Sequence, residues 1–145
     1  MNKIELLKAK RDGLKIKDDI HRFAKEGWES ISEEDIQRLK WYGLFLRNPT
    51  PGFFMLRVRI PNGFSSSHQV RVLACIAETY GNGVIDITTR QQVQLRHLKI
   101  ENIPQVFDLI QKVGLTTSQT GMDNVRNIMG CPVAGLNPKE RVDAY

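Results

Sequence analysis

The chain has 145 residues, of which 41% are hydrophobic, 26% charged and 8% aromatic, which is the composition of one ordinary globular domain. A domain of this size buries roughly 70% of its unfolded surface, so it can fold without disulfides or a structural metal. The longest apolar run, residues 72–77, is far shorter than the ~18 residues of a membrane span, and no signal peptide precedes it. We therefore expect no membrane span and a cytoplasmic location.

Lysine and arginine together number 21 against 16 aspartates and glutamates, which gives a net charge of +5. This charge favours an acidic partner, and a nucleic acid, a polyanionic cofactor or an acidic protein would each satisfy it. Cys75 and Cys131 are the only thiols. They are too few and too far apart for a zinc site or, alone, for an iron–sulfur cluster, so no metal ligand is predicted within the chain.

The first 50 residues are predicted to form an N-terminal helical arm. Apolar residues recur there with helical spacing, at Ile16, Ile20 and Phe23, and Ser32 is a typical N-cap for a further helix. The segment 48–52 contains two prolines and a glycine and interrupts any helix, because proline lacks an amide donor and restricts the residue before it. We place a domain boundary there, between residues 1–50 and the unit that begins at residue 51.

The next part of the chain is predicted to form a strand, a helix, two strands and a helix. The first strand covers residues 53–60, and Ser66 with Gln69 resembles the capping box of a helix that ends at Gly81. Residues 84–98 alternate as one long strand or two joined strands, and a last amphipathic helix ends just before Gly114. The expected fold class is α+β, in the order β-α-β-β-α, with both helices on one face of the sheet.

Alternation along these strands sorts their side chains into an apolar face and a basic face. The predicted basic face collects Arg57, Arg59, Arg90, Gln92, Gln94 and Arg96, with Asp86 as its only carboxylate. A merely solvated face is the ordinary alternative, but such a face mixes lysine, glutamate and threonine. Arginine and glutamine are planar donors suited to carboxylates and phosphates, so we interpret this face as an anion-binding surface.

Two motifs of this chain are similar to one enzyme family. The segment Thr88-Thr89-Arg90-Gln91-Gln92-Val93-Gln94-Leu95-Arg96, interpreted as part of a strand, is followed by the asparagine-rich Gly121-Met122-Asp123-Asn124-Val125-Arg126-Asn127. In this order and spacing they resemble the N-terminal half of the siroheme-containing nitrite and sulfite reductases. The resemblance implies a ferredoxin-like half-domain at residues 51–116. It also implies that residues 117–145 begin a siroheme- and substrate-binding region that is truncated here.

The resemblance implies a reduction of nitrite to ammonia, with electrons passing from reduced ferredoxin through a [4Fe-4S] cluster to siroheme. It assigns the two substrate-binding arginines, which are the predicted catalytic residues, to Arg90 and Arg126. The predicted cofactor-binding residues are Gln92, Gln94, Arg96 and Asn127. The family's cluster-binding cysteines lie in the C-terminal half of the same enzyme, which is therefore an expected partner. This segment alone is expected to be inactive.

Two alternatives remain open at the level of sequence. The first is an assimilatory sulfite reductase, because both branches of the family share the arginine pair. The second is a non-enzymatic module that binds single-stranded nucleic acid on a basic sheet face. Such modules stack bases on aromatic side chains of their central strands, whereas here those positions carry arginine and glutamine and only Phe53 is aromatic. No nucleic-acid partner is therefore predicted.

Overall fold

The structure, a computed structural model, describes residues 2–136 and 138–142. Within them it has five α-helices and a four-stranded antiparallel sheet with strand order β1-β2-β4-β3. The helices are Lys3–Lys10 (α1), Ile16–Glu26 (α2), Glu33–Leu39 (α3), Ser67–Tyr80 (α4) and Ile103–Lys112 (α5). The strands are Leu44–Leu46 (β1), Phe53–Val58 (β2), Ile85–Ile87 (β3) and Val93–Lys99 (β4). The predicted α+β class is confirmed.

Helix α4 begins as its sequence predicts, with a complete capping box. The Gln69 amide donates to the Ser66 hydroxyl at 3.2 Å, and the Ser66 amide donates to the Gln69 side-chain oxygen at 2.9 Å. Both amides would otherwise lack a partner in the first turn. No helix in the described part of the chain is long and apolar enough to cross a membrane.

The apolar face of β2 forms the centre of the core. Phe54, Leu56 and Val58 have no accessible surface and lie in one apolar cluster with residues of α4 and α5. The same cluster includes Ile20 and Phe23 of α2. The apolar core is thus continuous from the N-terminal helices to the sheet, and the division of the chain at residue 51 stays a prediction.

The prediction of helix throughout the first 50 residues was wrong at Leu44–Leu46, which form the edge strand β1. Gly43 causes the change, because its φ of +75° is left-handed and a Cβ there would lie 2.6 Å from the Arg57 carbonyl oxygen. After this turn β1 pairs antiparallel with β2, with Leu44 opposite Leu56 and Leu46 opposite Phe54. The prolines of residues 48–52 therefore lie in the connection of a β-hairpin.

The segment 84–98 forms two antiparallel strands joined by a turn, one of the two arrangements that its pattern predicts. The turn is closed by a hydrogen bond from the Thr88 amide to the Gln92 carbonyl at 2.9 Å, and Gln91 adopts a left-handed φ of +56°. The placement of Arg90 and Gln92 on a strand face was therefore wrong. Both belong to residues 88–92, which we call the β3–β4 turn.

Candidate anion-binding site

The β3–β4 turn lies against residues 121–130, which we call the Asn-rich loop. The Gln92 side-chain amide donates to the Arg126 carbonyl at 2.8 Å, and the Asn127 side-chain amide donates to the Arg90 carbonyl at 2.9 Å. Each predicted catalytic arginine therefore has its own carbonyl bound by an amide side chain from the other segment. This reciprocal pair of hydrogen bonds brings together two stretches that are far apart in sequence.

Further hydrogen bonds hold the Asn-rich loop, which has no regular secondary structure. The Gln91 side chain donates to the Gly130 carbonyl at 3.1 Å and accepts from the Gly130 amide at 3.2 Å. Asn127 also donates to the Ile60 carbonyl at 2.9 Å, and the Asn62 amide donates to the Ile128 carbonyl at 2.9 Å. The Asn-rich loop is therefore hydrogen-bonded both to the β3–β4 turn and to the segment that follows β2.

Arg57, on β2, is the third arginine at this place. Burial lowers the pKa of its guanidinium, and the positive charges of Arg126 and Arg90 lower it further. The charges of both arginines therefore lie near enough to Arg57 to act on its guanidinium. We call Arg57, Arg90 and Arg126 the arginine cluster.

The arginine cluster is not neutralised within the described part of the chain, where none of its members forms an ion pair with a carboxylate. The Arg57 Nη1 donates to the Thr120 carbonyl at 2.8 Å, whereas its Nε is buried without a hydrogen-bond partner. Buried charged donors are costly unless they are paired. The cluster therefore presents charge and unused donors that a small anion or a carboxylate would satisfy.

The neighbouring Arg59 anchors the loop from the same strand region. Its amide donates to the Thr116 carbonyl at 2.8 Å, and its Nη2 donates to the Val125 carbonyl at 3.0 Å. Its Nε is buried without a partner, as is the side-chain oxygen of Asn127. Arg59 contacts the Asn-rich loop and Asn127 lies in it, so both unpaired atoms belong to residues that hold or form this loop.

The remaining predicted cofactor-binding residues occupy different positions. Gln94 lies opposite Arg57 in the β2–β4 register and therefore shares its face of the sheet. Arg96 forms an ion pair with Asp86, the one carboxylate of the predicted basic face. Gln92 is only 2% exposed, and its amide group serves the Arg126 carbonyl. Contact of these residues and of Asn127 with a cofactor stays a prediction.

The family resemblance assigned no substrate- or cofactor-binding role to Arg57. Its position on the basic face follows from strand alternation, but its proximity to Arg90 and Arg126 depends on the turn and the loop. Among the described residues, no group of three or more histidine, cysteine, aspartate or glutamate side chains could hold a metal ion. The arginine cluster, with its guanidinium donors, is suited to bind an anion.

Residues 47–113 match the family described as the nitrite/sulfite reductase ferredoxin-like half domain. The match covers a little under half of the chain, which is therefore similar to this family over that stretch. It is 50% identical over 145 residues to a ferredoxin–nitrite reductase of Leptolyngbya laminosa, covering 99% of this chain and 28% of that protein. It is 41% identical over 153 residues to the chloroplastic ferredoxin–nitrite reductase of Spinacia oleracea, covering 99% of this chain and 26% of that protein.

The fold agrees with these sequence relationships. The solved structure of the Mycobacterium tuberculosis NirA protein superposes on this chain with a TM-score of 0.88 and 30% sequence identity. The match covers 98% of this chain and 29% of that one. The chain therefore spans between a quarter and a third of the length of these relatives.

Proposed function

We propose that this chain forms the N-terminal part of a ferredoxin-dependent nitrite reductase and supplies the arginines that bind the substrate anion. The observation that carries the proposal is the arginine cluster, whose segments are joined by the Gln92–Arg126 and Asn127–Arg90 hydrogen bonds and whose members form no ion pair with a carboxylate among the described residues. The two ferredoxin–nitrite reductases that this chain resembles support nitrite as the substrate and ferredoxin as the electron donor. The third proposed partner of this chain is the C-terminal half of the same enzyme. The enzyme is proposed to be cytoplasmic.

The residues present fit a cofactor that bears carboxylates, because the buried Nε atoms of Arg57 and Arg59 have no partner. Bound siroheme, with a [4Fe-4S] cluster held elsewhere in the enzyme, would pass on the electrons from ferredoxin and supply the iron site for reduction. Arg59, two residues after Arg57 in the sequence, would bind siroheme carboxylates. So would Gln94, which lies opposite Arg57 in the β2–β4 register. Arg96 would join them by exchanging its ion pair with Asp86.

Arginine suits this task for an electrostatic reason. Nitrite is an anion, and at an effective dielectric of about 20 each carboxylate at 4 Å repels it by roughly 4 kcal/mol. The guanidinium groups of Arg90 and Arg126 offset that repulsion and orient the anion through charge-assisted hydrogen bonds. As negative charge builds on the nitrite oxygens during reduction, the same donors stabilise it. Arginine does this at any working pH because its side chain stays protonated.

The experiment is the replacement of Arg90 or Arg126 by alanine in the full-length enzyme that contains this chain. Loss of a charge-assisted hydrogen bond costs about 1.5–3 kcal/mol, so kcat/KM for nitrite should fall roughly 10- to 100-fold while the siroheme spectrum persists. Arg71→Ala is the matched control, because Arg71 is an exposed arginine of α4. Unchanged nitrite kinetics in both cluster variants would contradict the proposal.

The second expectation concerns the chain by itself. Because its described residues do not gather a metal-ligand set, we expect the purified 145-residue chain to be colourless and inactive. The measurement is an absorption spectrum after expression with siroheme supply. A stoichiometric haem Soret band or cluster absorption in this chain would show that it holds a metal centre without the rest of the enzyme.

Sulfite is the competing substrate for the same arginine cluster, because both are small oxyanions. The relatives named above are nitrite reductases, which favours nitrite. Comparing kcat/KM for nitrite and sulfite in the full-length enzyme distinguishes the two. A higher value for sulfite would reassign the enzyme to the sulfite branch and leave the role of the arginines intact.

A further inference from the structure

Phe45 is the middle residue of β1, the strand that the sequence pattern did not predict. Its ring centroid lies 4.7 Å from Cζ of Arg57. A guanidinium within about 6 Å of a ring centroid is attracted by the electrons of the ring face. The aromatic side chain of the edge strand therefore touches a member of the arginine cluster directly.

The backbone of β1 explains why the Arg57 side chain reaches this ring. The Arg57 amide donates to the Gly43 carbonyl at 2.9 Å, so the residue facing Arg57 across the ladder is a glycine. Phe45, two residues further along β1, faces Met55. Gly43 has no side chain to occupy the space opposite Arg57. The Arg57 guanidinium can therefore contact the ring of Phe45, its diagonal neighbour in the antiparallel pair.

The Phe45 ring also contacts the start of the Asn-rich loop. A Cβ placed on Gly121 would lie 2.8 Å from Cζ of Phe45, so the ring packs against the bare backbone of that glycine. Thr120, the preceding residue, is fully buried and accepts the hydrogen bond from Arg57 Nη1 at 2.8 Å. The Arg57 guanidinium thus contacts both the Phe45 ring and the Thr120 carbonyl, at the start of the segment that leads to Arg126.

An aromatic partner has a consequence that a carboxylate would not have. Arg90 and Arg126 repel the Arg57 guanidinium, and an unconstrained arginine side chain would turn away from them. A carboxylate could hold it in place, but would cancel the charge that an anion needs. The ring face stabilises the cation and leaves its net charge available.

We propose that Phe45 is a positioning residue, which holds the Arg57 guanidinium in the arginine cluster through ring contact and packing against Gly121. The part of this inference that concerns nitrite rests on the proposed function. The part that concerns the orientation of Arg57 depends only on the contacts of Phe45. Two experiments separate these parts.

The first experiment measures rotation of the Arg57 guanidinium by ¹⁵N NMR in the 145-residue chain. We expect Phe45→Leu to speed this rotation roughly tenfold and Phe45→Tyr, which keeps the ring, to leave it near the original rate. Arg22 is the internal control, because its Cζ lies 4.5 Å from the Phe23 ring centroid and neither residue is changed. If Phe45→Leu does not fold, Phe45→Met replaces it. Unchanged Arg57 rotation in a folded variant without the ring overturns the inference.

The second experiment compares nitrite kinetics of the full-length enzyme with Phe45→Leu, Phe45→Tyr and Arg57→Gln. We expect Phe45→Leu to raise KM for nitrite several-fold, with a smaller change in kcat and an unchanged siroheme spectrum. Phe45→Tyr keeps the ring and should have a KM close to that of the original enzyme. If Arg57→Gln impairs nitrite binding and Phe45→Leu does not, the positioning role is overturned. If Arg57→Gln leaves the kinetics unchanged, the role of Arg57 in the proposed function fails, and the NMR result still decides whether Phe45 positions it.

Discussion

Replacing Gln92 by leucine removes the hydrogen bond that joins the β3–β4 turn to the Asn-rich loop. The Gln92 side chain is 2% exposed, and its amide is 2.8 Å from the Arg126 carbonyl oxygen, 34 residues away in sequence. Leucine has a similar volume and fills the space, but leaves that carbonyl without this donor. An unsatisfied buried polar group costs about 1–3 kcal/mol.

The loss should appear both in global stability and locally. For a domain of about 150 residues, a change of 1 kcal/mol shifts the Tm by roughly 2–4 °C, so we expect the Tm of Gln92→Leu to fall by about 2–12 °C. Backbone amides of residues 124–130 should exchange hydrogen faster, because the loop has lost one of the hydrogen bonds that hold it. Thermal unfolding and hydrogen exchange of the 145-residue chain measure the two effects.

The control is Gln105→Ala, which removes an exposed glutamine from α5 and should change stability by no more than about 0.5 kcal/mol. A Gln92→Leu chain with the original Tm and unchanged exchange in the Asn-rich loop would refute the reasoning. That result would mean that the other contacts of the loop, from Gln91, Asn127, Arg59 and Asn62, hold it without Gln92. The Gln92 hydrogen bond would then have no role in placing Arg126.

Two further predictions concern the stability of the chain. Ser66→Ala breaks the capping box of α4 and leaves the Gln69 amide without its side-chain acceptor, so urea unfolding should show a loss of about 1 kcal/mol. Retention of the original urea midpoint would contradict it. For Asp19, burial acts to raise the pKa, but hydrogen bonds from Arg11 and Arg22 outweigh it, so the pKa lies below the usual 3.8. The native ion pairs therefore contribute stability above about pH 4 that is lost as the pH falls through the lowered pKa. Urea midpoints of the original chain should accordingly fall more between pH 5 and pH 3 than those of Asp19→Asn; equal slopes would exclude this contribution.

The elements that the sequence predicted correctly have signals within a few neighbouring residues. The Ser66 capping box is a local pattern of donors and acceptors, and the structure contains both of its hydrogen bonds. The apolar alternation of β2 likewise predicted its buried face, with Phe54, Leu56 and Val58 inaccessible to solvent. Local patterns succeed here because the period of a helix or a strand is written into consecutive residues.

The strand β1 could not be predicted in this way. Leu44–Leu46 is only three residues long and has no alternating pattern of its own. It becomes a strand because Gly43 turns the chain and β2 offers hydrogen-bonding partners. Its Phe45 then reaches Arg57, a contact that no pattern in the N-terminal segment indicates.

The sequence by itself determined the α+β class, the main helices and the choice of arginine and glutamine for a basic surface. Only the tertiary structure decided that Arg90 lies in a turn, that Gln92 points to a backbone carbonyl, and that Arg57 joins Arg90 and Arg126. The physical reason is distance along the chain. Residue types and periodicity are local, whereas charges converge only after strands and loops separated by tens of residues have been hydrogen-bonded together.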